Sequence, residues 1–269
     1  QEITPFRDAA SIGTTYYCIH DLLIDEDKLY AATYGRGLEV IHLKTGKVES
    51  YLNNPKDSTS IPSSRVFSLY KASNGCIYVG TSAGFCCYNP EKNNFTRIGS
   101  FSSKVSAIIE DYSGRIWIGT GISGLYSYNV RTKKISSYQR SDKLNSLTKN
   151  VITTLAIDSK KRLWIGTYGQ GLCRYNDETD DFTRYDHLKL PNKIITSIIP
   201  KGDLLWISTN KGLAVYNPDT EYLKTYSKSN GLYNEQFTPR SGVEVSDGRL
   251  FLGSTDGFCY CLLYTSDAA

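Results

Sequence analysis

The sequence contains no methionine, and histidine is scarce, with three copies among 269 residues. No apolar run approaches the about 18 residues of a membrane-spanning helix. No block of basic residues is suited to following a phosphate backbone. The 31 lysine and arginine residues and the 27 aspartate and glutamate residues are mixed along the chain. We therefore expect no membrane segment in this chain and no nucleic acid among its partners.

The chain does contain an internal repeat. A short apolar run ends in a hydroxyl residue, and a glycine turn and a second apolar run follow, as in RLWIGTYGQGL at Arg162–Leu172. Copies recur at intervals of 39 to 48 residues, with the hydroxyl at Thr33, Thr81, Thr120, Thr167, Thr209 and Ser254. An aromatic precedes each hydroxyl by three positions: Tyr30, Tyr78, Trp117, Trp164, Trp206 and Phe251. Such a repeat predicts stacked units, and we expect the aromatics to fill the contacts between them.

Each unit contains four short β-type runs joined by polar or glycine-containing turns, which indicates antiparallel hairpins. Near-continuous apolar runs indicate sheets that are covered on both faces. We therefore predict an all-β protein, a β-propeller of four-stranded antiparallel blades with about six blades present. The predicted blades are 16–52, 65–98, 105–138, 151–185, 194–226 and, in part, 242–260.

The ends of the sequence depart from the repeat. Gln1 is not an initiator, which predicts a start inside a longer chain or after a cleaved signal. Ile3–Arg7 resembles a fourth strand, and it either completes the last sheet or belongs to a further blade upstream. Residues 261–269 (CLLYTSDAA) break the pattern and resemble a translated sequencing adapter. We therefore interpret residues 1–260 as a propeller fragment and residues 261–269 as not native.

No arrangement of residues predicts catalysis, a metal or a cofactor. His20, His42 and His187 occupy non-equivalent places in their units, without metal-ligand spacing and without a paired nucleophile. Three cysteines share one slot two residues after the repeat glycine: Cys86, Cys173 and Cys259. Other copies place glutamate, tyrosine or alanine there, which predicts a packing slot. Because equivalent slots of different blades lie far apart, we expect no disulfide framework.

One face of the predicted propeller gathers candidate binding residues. In a four-stranded blade, the connections between blades emerge on the same face as the turn between the second and third strands. That face combines aromatic, amide and basic side chains, which suit a sugar or an acidic sugar. The candidate ligand-binding residues are Tyr34, Arg36, Tyr168, Gln170, Asn210 and Lys211.

The wording of the repeats resembles a known family. RIWIGTGISGLYSYN (115–129), RLWIGTYGQGLCRYN (162–176) and LLWISTNKGLAVYNP (204–218) are similar to the repeats of two-component regulator propellers. The connections that contain DSTSIPSSRV and LNSLTKNVI resemble the segments between those repeats. The resemblance extends over nearly all of residues 16–260, although no family motif for a ligand site matches.

The resemblance implies a seven-bladed parent propeller in the periplasmic input region of a Bacteroidetes hybrid two-component system. Such a receptor is a homodimer anchored in the inner membrane, with a histidine kinase outside this chain. The implied function is non-catalytic sensing of oligosaccharides from glycan breakdown, which controls transcription of polysaccharide-utilisation genes. Two alternatives stay open: a propeller lyase of the streptogramin-inactivating type, and a scaffold that mediates dimerisation alone. The sequence does not reveal which glycan would be sensed.

Overall fold

The computed structural model describes residues 18–261, which form β-strands and one short 3-10 helix at Lys228–Asn230. The strand predicted at Ile3–Arg7 and nearly all of the adapter-like segment lie outside these described residues. Within them the structure contains no helix with the length and apolar character needed to cross a bilayer.

The first three sheets are each four-stranded and antiparallel, with strands in chain order. Sheet 1 consists of β1 (Ile19–Asp25), β2 (Lys28–Thr33), β3 (Leu38–His42) and β4 (Val48–Tyr51). Sheet 2 consists of β5 (Val66–Lys71), β6 (Ile77–Thr81), β7 (Gly84–Asn89) and β8 (Asn94–Ile98). Sheet 3 consists of β9 (Val105–Glu110), β10 (Arg115–Thr120), β11 (Leu125–Asn129) and β12 (Ile135–Tyr138).

The next two sheets repeat this plan, and the last has three strands among the described residues. Sheet 4 consists of β13 (Ile152–Ile157), β14 (Leu163–Thr167), β15 (Leu172–Asn176) and β16 (Asp181–Arg184). Sheet 5 consists of β17 (Ile195–Lys201), β18 (Leu204–Thr209), β19 (Gly212–Tyr216) and β20 (Leu223–Tyr226). Sheet 6 consists of β21 (Phe237–Glu244), β22 (Leu250–Ser254) and β23 (Gly257–Cys261).

The first strands of successive sheets contact one another in order, β1 with β5, β5 with β9, β9 with β13, β13 with β17 and β17 with β21. Strand β13 also contacts β21, although their sheets are not neighbours in the sequence. The first strands therefore surround a common centre, which we call the channel. This arrangement confirms the predicted all-β propeller built from four-stranded antiparallel blades.

The repeated aromatics lie where the sequence predicts them, between neighbouring sheets. Trp117 and Trp164 are fully buried, and the ring of Trp117 lies 4.5 Å from that of Tyr175 in the next sheet. Tyr30, Tyr78 and Trp206 are buried in the same way. Phe251 differs, because it is partly exposed and packs on Phe258 and Tyr260 of its own sheet. In the described part of the chain, sheets 1 and 6 keep some apolar side chains exposed: Leu22, Ile24, Val243 and Phe258.

A polar network connects sheet 3 to sheet 4 on the side away from the connections. The buried Asp111 carboxylate accepts hydrogen bonds from Trp117 Nε1 at 2.8 Å and Arg115 Nε at 2.7 Å. Arg115 also donates to Asp177 of sheet 4 at 2.6 Å. Burial acts to raise the pKa of Asp111, but hydrogen bonds from Ser113, Trp117 and Arg115 outweigh it and hold that pKa below its usual value.

The same network joins sheet 4 to sheet 5. Asp158 accepts from Trp164 Nε1 and Arg162 Nε, and Arg162 donates to Asp219 at 2.8 Å. In sheet 5, Lys201 stands at the position corresponding to Asp158, and the buried Trp206 Nε1 has no hydrogen-bond partner within residues 18–261. The network is therefore a property of particular sheets and not of the repeat as a whole.

One expectation about cysteine is wrong. Cys76, just before β6, forms a disulfide with Cys87 of β7, and their Cα atoms are 6.2 Å apart. Equivalent slots of different blades do lie far apart, but Cys76 and Cys87 occupy non-equivalent positions of one hairpin. They meet there because Cys87 pairs with Tyr78, two residues after Cys76. The packing slot is confirmed for Cys86 and Cys173, which are buried free thiols. Burial raises the pKa of Cys173 to about 12.

We predict that Asp111→Ala lowers the free energy of unfolding by about 3 kcal/mol, because it leaves the Arg115 and Trp117 donors without their buried acceptor. The folded-state pKa of Asp111 is depressed, so its contribution is present above about pH 4 and is lost as pH falls further. Asp111→Asn should therefore reduce the loss of stability between about pH 4 and pH 2. Urea unfolding measures both effects.

The control is Asp203→Asn, which changes a carboxylate in an exposed turn of sheet 5. Equal stability of Asp111→Ala and this control would contradict the prediction.

Reduction of the disulfide should lower the free energy of unfolding by up to about 3 kcal/mol, because the bond closes a loop with a sequence separation of 11. The measurement is urea unfolding with and without a thiol reductant. Cys76→Ser should be insensitive to the reductant, whereas Cys18→Ser, at an exposed thiol, should respond as the wild type does. A wild type that ignores the reductant would show that the bond does not stabilise the fold.

Candidate functional site

The turns between second and third strands share one face with the connections between sheets, as the sequence predicts. The backbone amides of Gly35 and Gly37 donate to the Ser64 carbonyl of the connection between sheets 1 and 2. Gly169 and Gly171 bond in the same way to the Lys193 carbonyl. We call this surface the loop face. The repeated hydroxyl closes the turn. In sheet 1, Thr33 Oγ1 donates a hydrogen bond to the carbonyl of the turn glycine Gly37 at 2.9 Å, which explains why a hydroxyl residue and a glycine recur together.

The six predicted binding residues are all exposed on the loop face, and they belong to sheets 1, 4 and 5: Tyr34, Arg36, Tyr168, Gln170, Asn210 and Lys211. In sheet 1, Tyr34 accepts a long hydrogen bond from Arg65 at 3.5 Å, and Arg36 Nε lies 3.3 Å from Glu39. The candidates therefore lie on three different sheets. Their role in ligand binding stays a prediction.

The first strand of every sheet is irregular where it reaches the loop face. In sheet 1 the pairing passes from Ile19 to Asp21 and skips His20, and Phe67 and Ser106 are skipped in the same way in sheets 2 and 3. Thr153 and Thr196 are the skipped residues of sheets 4 and 5. In sheet 6 the gap extends from Phe237 to Gly242. A β-bulge leaves its extra residue outside the ladder and re-aims its side chain.

The long bulge of β21 sends one arginine across the channel. Arg240, at φ 59°, donates from Nη1 to the carbonyl oxygens of Phe67 at 3.0 Å and Ser106 at 3.2 Å. Its Nη2 donates to Asp21 Oδ2 at 2.5 Å. One side chain of sheet 6 thus joins the bulges of sheets 2 and 3 to the first strand of sheet 1.

Aromatic and basic groups cluster above this arginine, at the end of the channel that opens on the loop face. The ring of His20 lies 4.6 Å from that of Phe67, and the Lys104 ammonium lies 4.9 Å from the centre of the same ring. Tyr34 borders the cluster, with its ring 6.0 Å from His20. We call the group formed by His20, Phe67, Lys104, Arg240 and Asp21 the channel mouth.

The environment of His20 favours the neutral imidazole. Burial lowers its pKa first, the positive charges of Lys104 and Arg240 lower it further, and Asp21 acts in the opposite direction. Its Nε2 atom is buried and finds no hydrogen-bond partner within residues 18–261, and the same is true of Thr153 Oγ1. Buried polar atoms without partners are uncommon and mark places where a further group can bind.

A separate cavity of about 580 Å³ lies on the loop face between sheets 2 and 3, lined in part by Pro62, Phe85, Arg97 and Phe101. Arg97 already donates to the Ser60 and Asp57 carbonyls and to the Ser60 hydroxyl, so its cation is committed to the neighbouring connection. Phe85 and Phe101 are themselves buried. The channel mouth therefore offers more uncommitted polar groups than this cavity does.

Sequence reasoning placed its candidate residues on the loop face, but it did not group His20, Phe67, Lys104 and Arg240 into one cluster. The sequence correctly places His20 in the first strand. Its position in the repeat does not show that it lies in a bulge and is skipped by the strand pairing. Within residues 18–261 the structure contains no group of three or more histidine, cysteine, aspartate or glutamate side chains arranged to hold a metal ion.

Three segments of the chain match the family model described as two component regulator propeller: residues 60–83, 99–121 and 146–169. Each segment extends from a connection, through the first two strands of a sheet, to the turn that follows. These three segments are similar to the repeats of that family. A curated relative, histidine kinase P4 of Formosa agariphila, is 33% identical over 99 residues. That match covers 33% of this chain and 7% of the kinase, so the chain spans a small part of this relative.

Solved structures with the same fold include two kinds of propeller. One is the extracellular domain of a hybrid two-component system of B. thetaiotaomicron, at 23% identity and a TM-score of 0.59, covering 91% of this chain and 39% of that one. Another is virginiamycin B lyase of Staphylococcus aureus, at 15% identity and a TM-score of 0.69, covering 90% of this chain and 79% of that one. At these identities the likeness concerns the fold alone.

We predict that His20 titrates below the usual histidine pKa of about 6.5. Lys104→Ala should raise the pKa of His20 towards that value, because it removes a nearby positive charge. NMR titration of the histidine ring protons measures both. Lys189→Ala, an exposed lysine of the connection between sheets 4 and 5, removes the same charge and should leave His20 unchanged. A normal titration of His20 in the wild type would disprove the described surroundings.

Proposed function

We propose that this chain is the ligand-sensing propeller of a hybrid two-component receptor and that it binds oligosaccharides on its loop face. The observation that carries the proposal is the combination of two-component regulator propeller repeats with an exposed, polar and aromatic loop face. In this reading the chain performs no chemistry, and the receptor's kinase lies elsewhere in the full protein.

The loop face has the surface chemistry that sugars require. Tyr34, Tyr168 and Tyr233 are 49%, 55% and 84% exposed, which is unusual for large aromatic residues. Each ring offers an apolar face to the C–H groups of a sugar and a hydroxyl to its oxygens. Exposed amide and basic groups of Gln170 and Lys211 lie on the same face and supply hydrogen bonds.

We place the chain in the periplasm, as the input region of a receptor that is anchored in the inner membrane. The Cys76–Cys87 disulfide supports an oxidising compartment, since such bonds are rare where thiols are kept reduced. The family repeats support a sensor that controls transcription of polysaccharide-utilisation genes through a dimeric histidine kinase. A ligand held on the loop face transmits its signal to the rest of the receptor through the stacked sheets.

We predict that the protein binds oligosaccharides in calorimetric titrations with pools from partially hydrolysed neutral and acidic polysaccharides. Tyr34→Ala and Tyr168→Ala should each weaken the binding by about tenfold, because each removes a stacking surface worth more than about 1 kcal/mol. Tyr222→Ala removes a comparably exposed ring in a turn on the opposite face and serves as the matched control.

The same titration distinguishes the alternatives. Binding that survives both loop-face substitutions but is lost in Tyr222→Ala would move the site to the other face. Complete absence of oligosaccharide binding would reject the proposal and favour a scaffold. Chemical turnover of any pool, detected by mass spectrometry, would favour an enzyme.

A further inference from the structure

The channel mouth carries more positive than negative charge. Lys104 and Arg240 contribute cations, Arg65 adds a third at the edge next to Tyr34, and Asp21 is the carboxylate that acts on His20. Asp21 is already engaged, because it accepts hydrogen bonds from Arg240 Nη2 and from the Leu69 amide at 2.7 Å. The charge of Lys104 is therefore not neutralised by the group that pairs with Arg240.

Two groups at the mouth lack a strong partner among the described residues. Lys104 is exposed, and its recorded neighbour is the ring of Phe67. His20 Nε2 is buried against the same ring and lacks a hydrogen-bond partner within the described residues. Both groups thus adjoin one aromatic ring, and Lys104 lies near enough to His20 for its charge to lower the pKa of that residue.

The rigidity of the arrangement suits recognition. Arg240 is held by three acceptors on three different sheets, so the floor of the mouth is fixed in place. The bulges at His20 and Phe67 aim their side chains away from the ladder, and Tyr34 forms a wall beside them. A site that is already assembled loses little conformational entropy on binding.

We propose that the channel mouth is an anion subsite, which binds the carboxylate or sulfate group of an acidic sugar unit through Lys104 and His20. This inference rests on the proposed function and narrows its ligand class from oligosaccharides in general to anionic ones. Lys104 supplies the direct charge, His20 donates from its ring nitrogen, and Arg240 beneath them adds long-range attraction. Tyr34 packs against the sugar ring that carries the acidic group.

The pH dependence of binding follows from the groups around His20. A bound anion favours the imidazolium form and so raises the pKa of His20, as Asp21 does. This effect opposes burial and the charges of Lys104 and Arg240, which all lower that pKa. Binding of an acidic oligosaccharide should therefore strengthen as pH falls from 8 to about 5.5, by at most tenfold for each pH unit. A neutral oligosaccharide should show no such dependence.

The test is a calorimetric titration of the full chain with three probes: a pool of galacturonic acid oligomers, a pool of sulfated galactose oligomers and a pool of neutral galactose oligomers. We expect one or both acidic pools to bind more tightly than the neutral pool, with a preference that declines in high salt. Whichever acidic pool binds identifies the carboxylate or the sulfate as the recognised group. Lys104→Ala should weaken that binding by about tenfold.

His20→Gln keeps a hydrogen-bond donor but cannot become charged, so it should remove the pH dependence and weaken binding of the acidic pool most at low pH. Lys189→Ala, on the same face, should change neither the affinity nor its pH dependence. Folding of every variant is confirmed by its thermal unfolding. NMR of the His20 ring provides a direct readout, because the bound acidic pool should raise the pKa of this residue.

Two failures are distinguishable. If the neutral pool binds as tightly as the acidic pools, and Lys104→Ala behaves like Lys189→Ala, the anion subsite is wrong while oligosaccharide binding stands. If no pool binds and His20 is unaffected, both the subsite and the proposed function are wrong.

Discussion

The stacking of sheets 2 to 5 depends on the absence of a side chain at the inner end of the second strand in sheets 2, 3 and 4. A Cβ atom at Gly119 would lie 2.6 Å from Ile152 of the next sheet, and one at Gly166 would lie 2.8 Å from Ile195. Both distances are far shorter than a van der Waals contact, so any larger residue would push the neighbouring sheet away. The glycine that precedes the repeated threonine therefore sets how closely these sheets approach beside the channel, whereas sheets 1 and 5 have Ala32 and Ser208 at this position.

Contact between successive first strands brings the bulges of neighbouring sheets together. The rings of His20 and Phe67 meet across the contact between sheets 1 and 2, and a single arginine reaches the carbonyls of Phe67 and Ser106 from the far side of the channel. Wider spacing would separate these groups beyond hydrogen-bond distance. The candidate site is thus a consequence of the packing, although none of its polar residues takes part in the apolar contacts that hold the sheets.

Much of this architecture could be predicted from the sequence because the repeat motif recurs several times along the chain. Buried aromatics such as Trp117 and Trp164, and the capped turns, recur in register, and each copy supports the interpretation of the others. The channel mouth could not be predicted in the same way. A bulge is a shift in pairing that leaves no mark in composition, and the contact of Arg240 with Asp21 joins residues at a separation of 219. The Cys76–Cys87 disulfide was missed because these two cysteines do not recur at equivalent positions of the other sheets.

This contrast separates the positions that hold the fold from those that are available for recognition. The glycine and threonine of each turn satisfy packing and hydrogen-bond demands that are the same in every sheet, so they tolerate little change. The bulged positions differ from sheet to sheet, as histidine, phenylalanine, serine and threonine, because the ladder does not use them. Some of these side chains still support the fold, since the Ser106 hydroxyl donates to the Ile152 carbonyl of the next sheet at 2.6 Å. The variation among them allows one propeller framework to present different chemistry to different ligands. Specificity in this protein should therefore be sought where the repeat is broken.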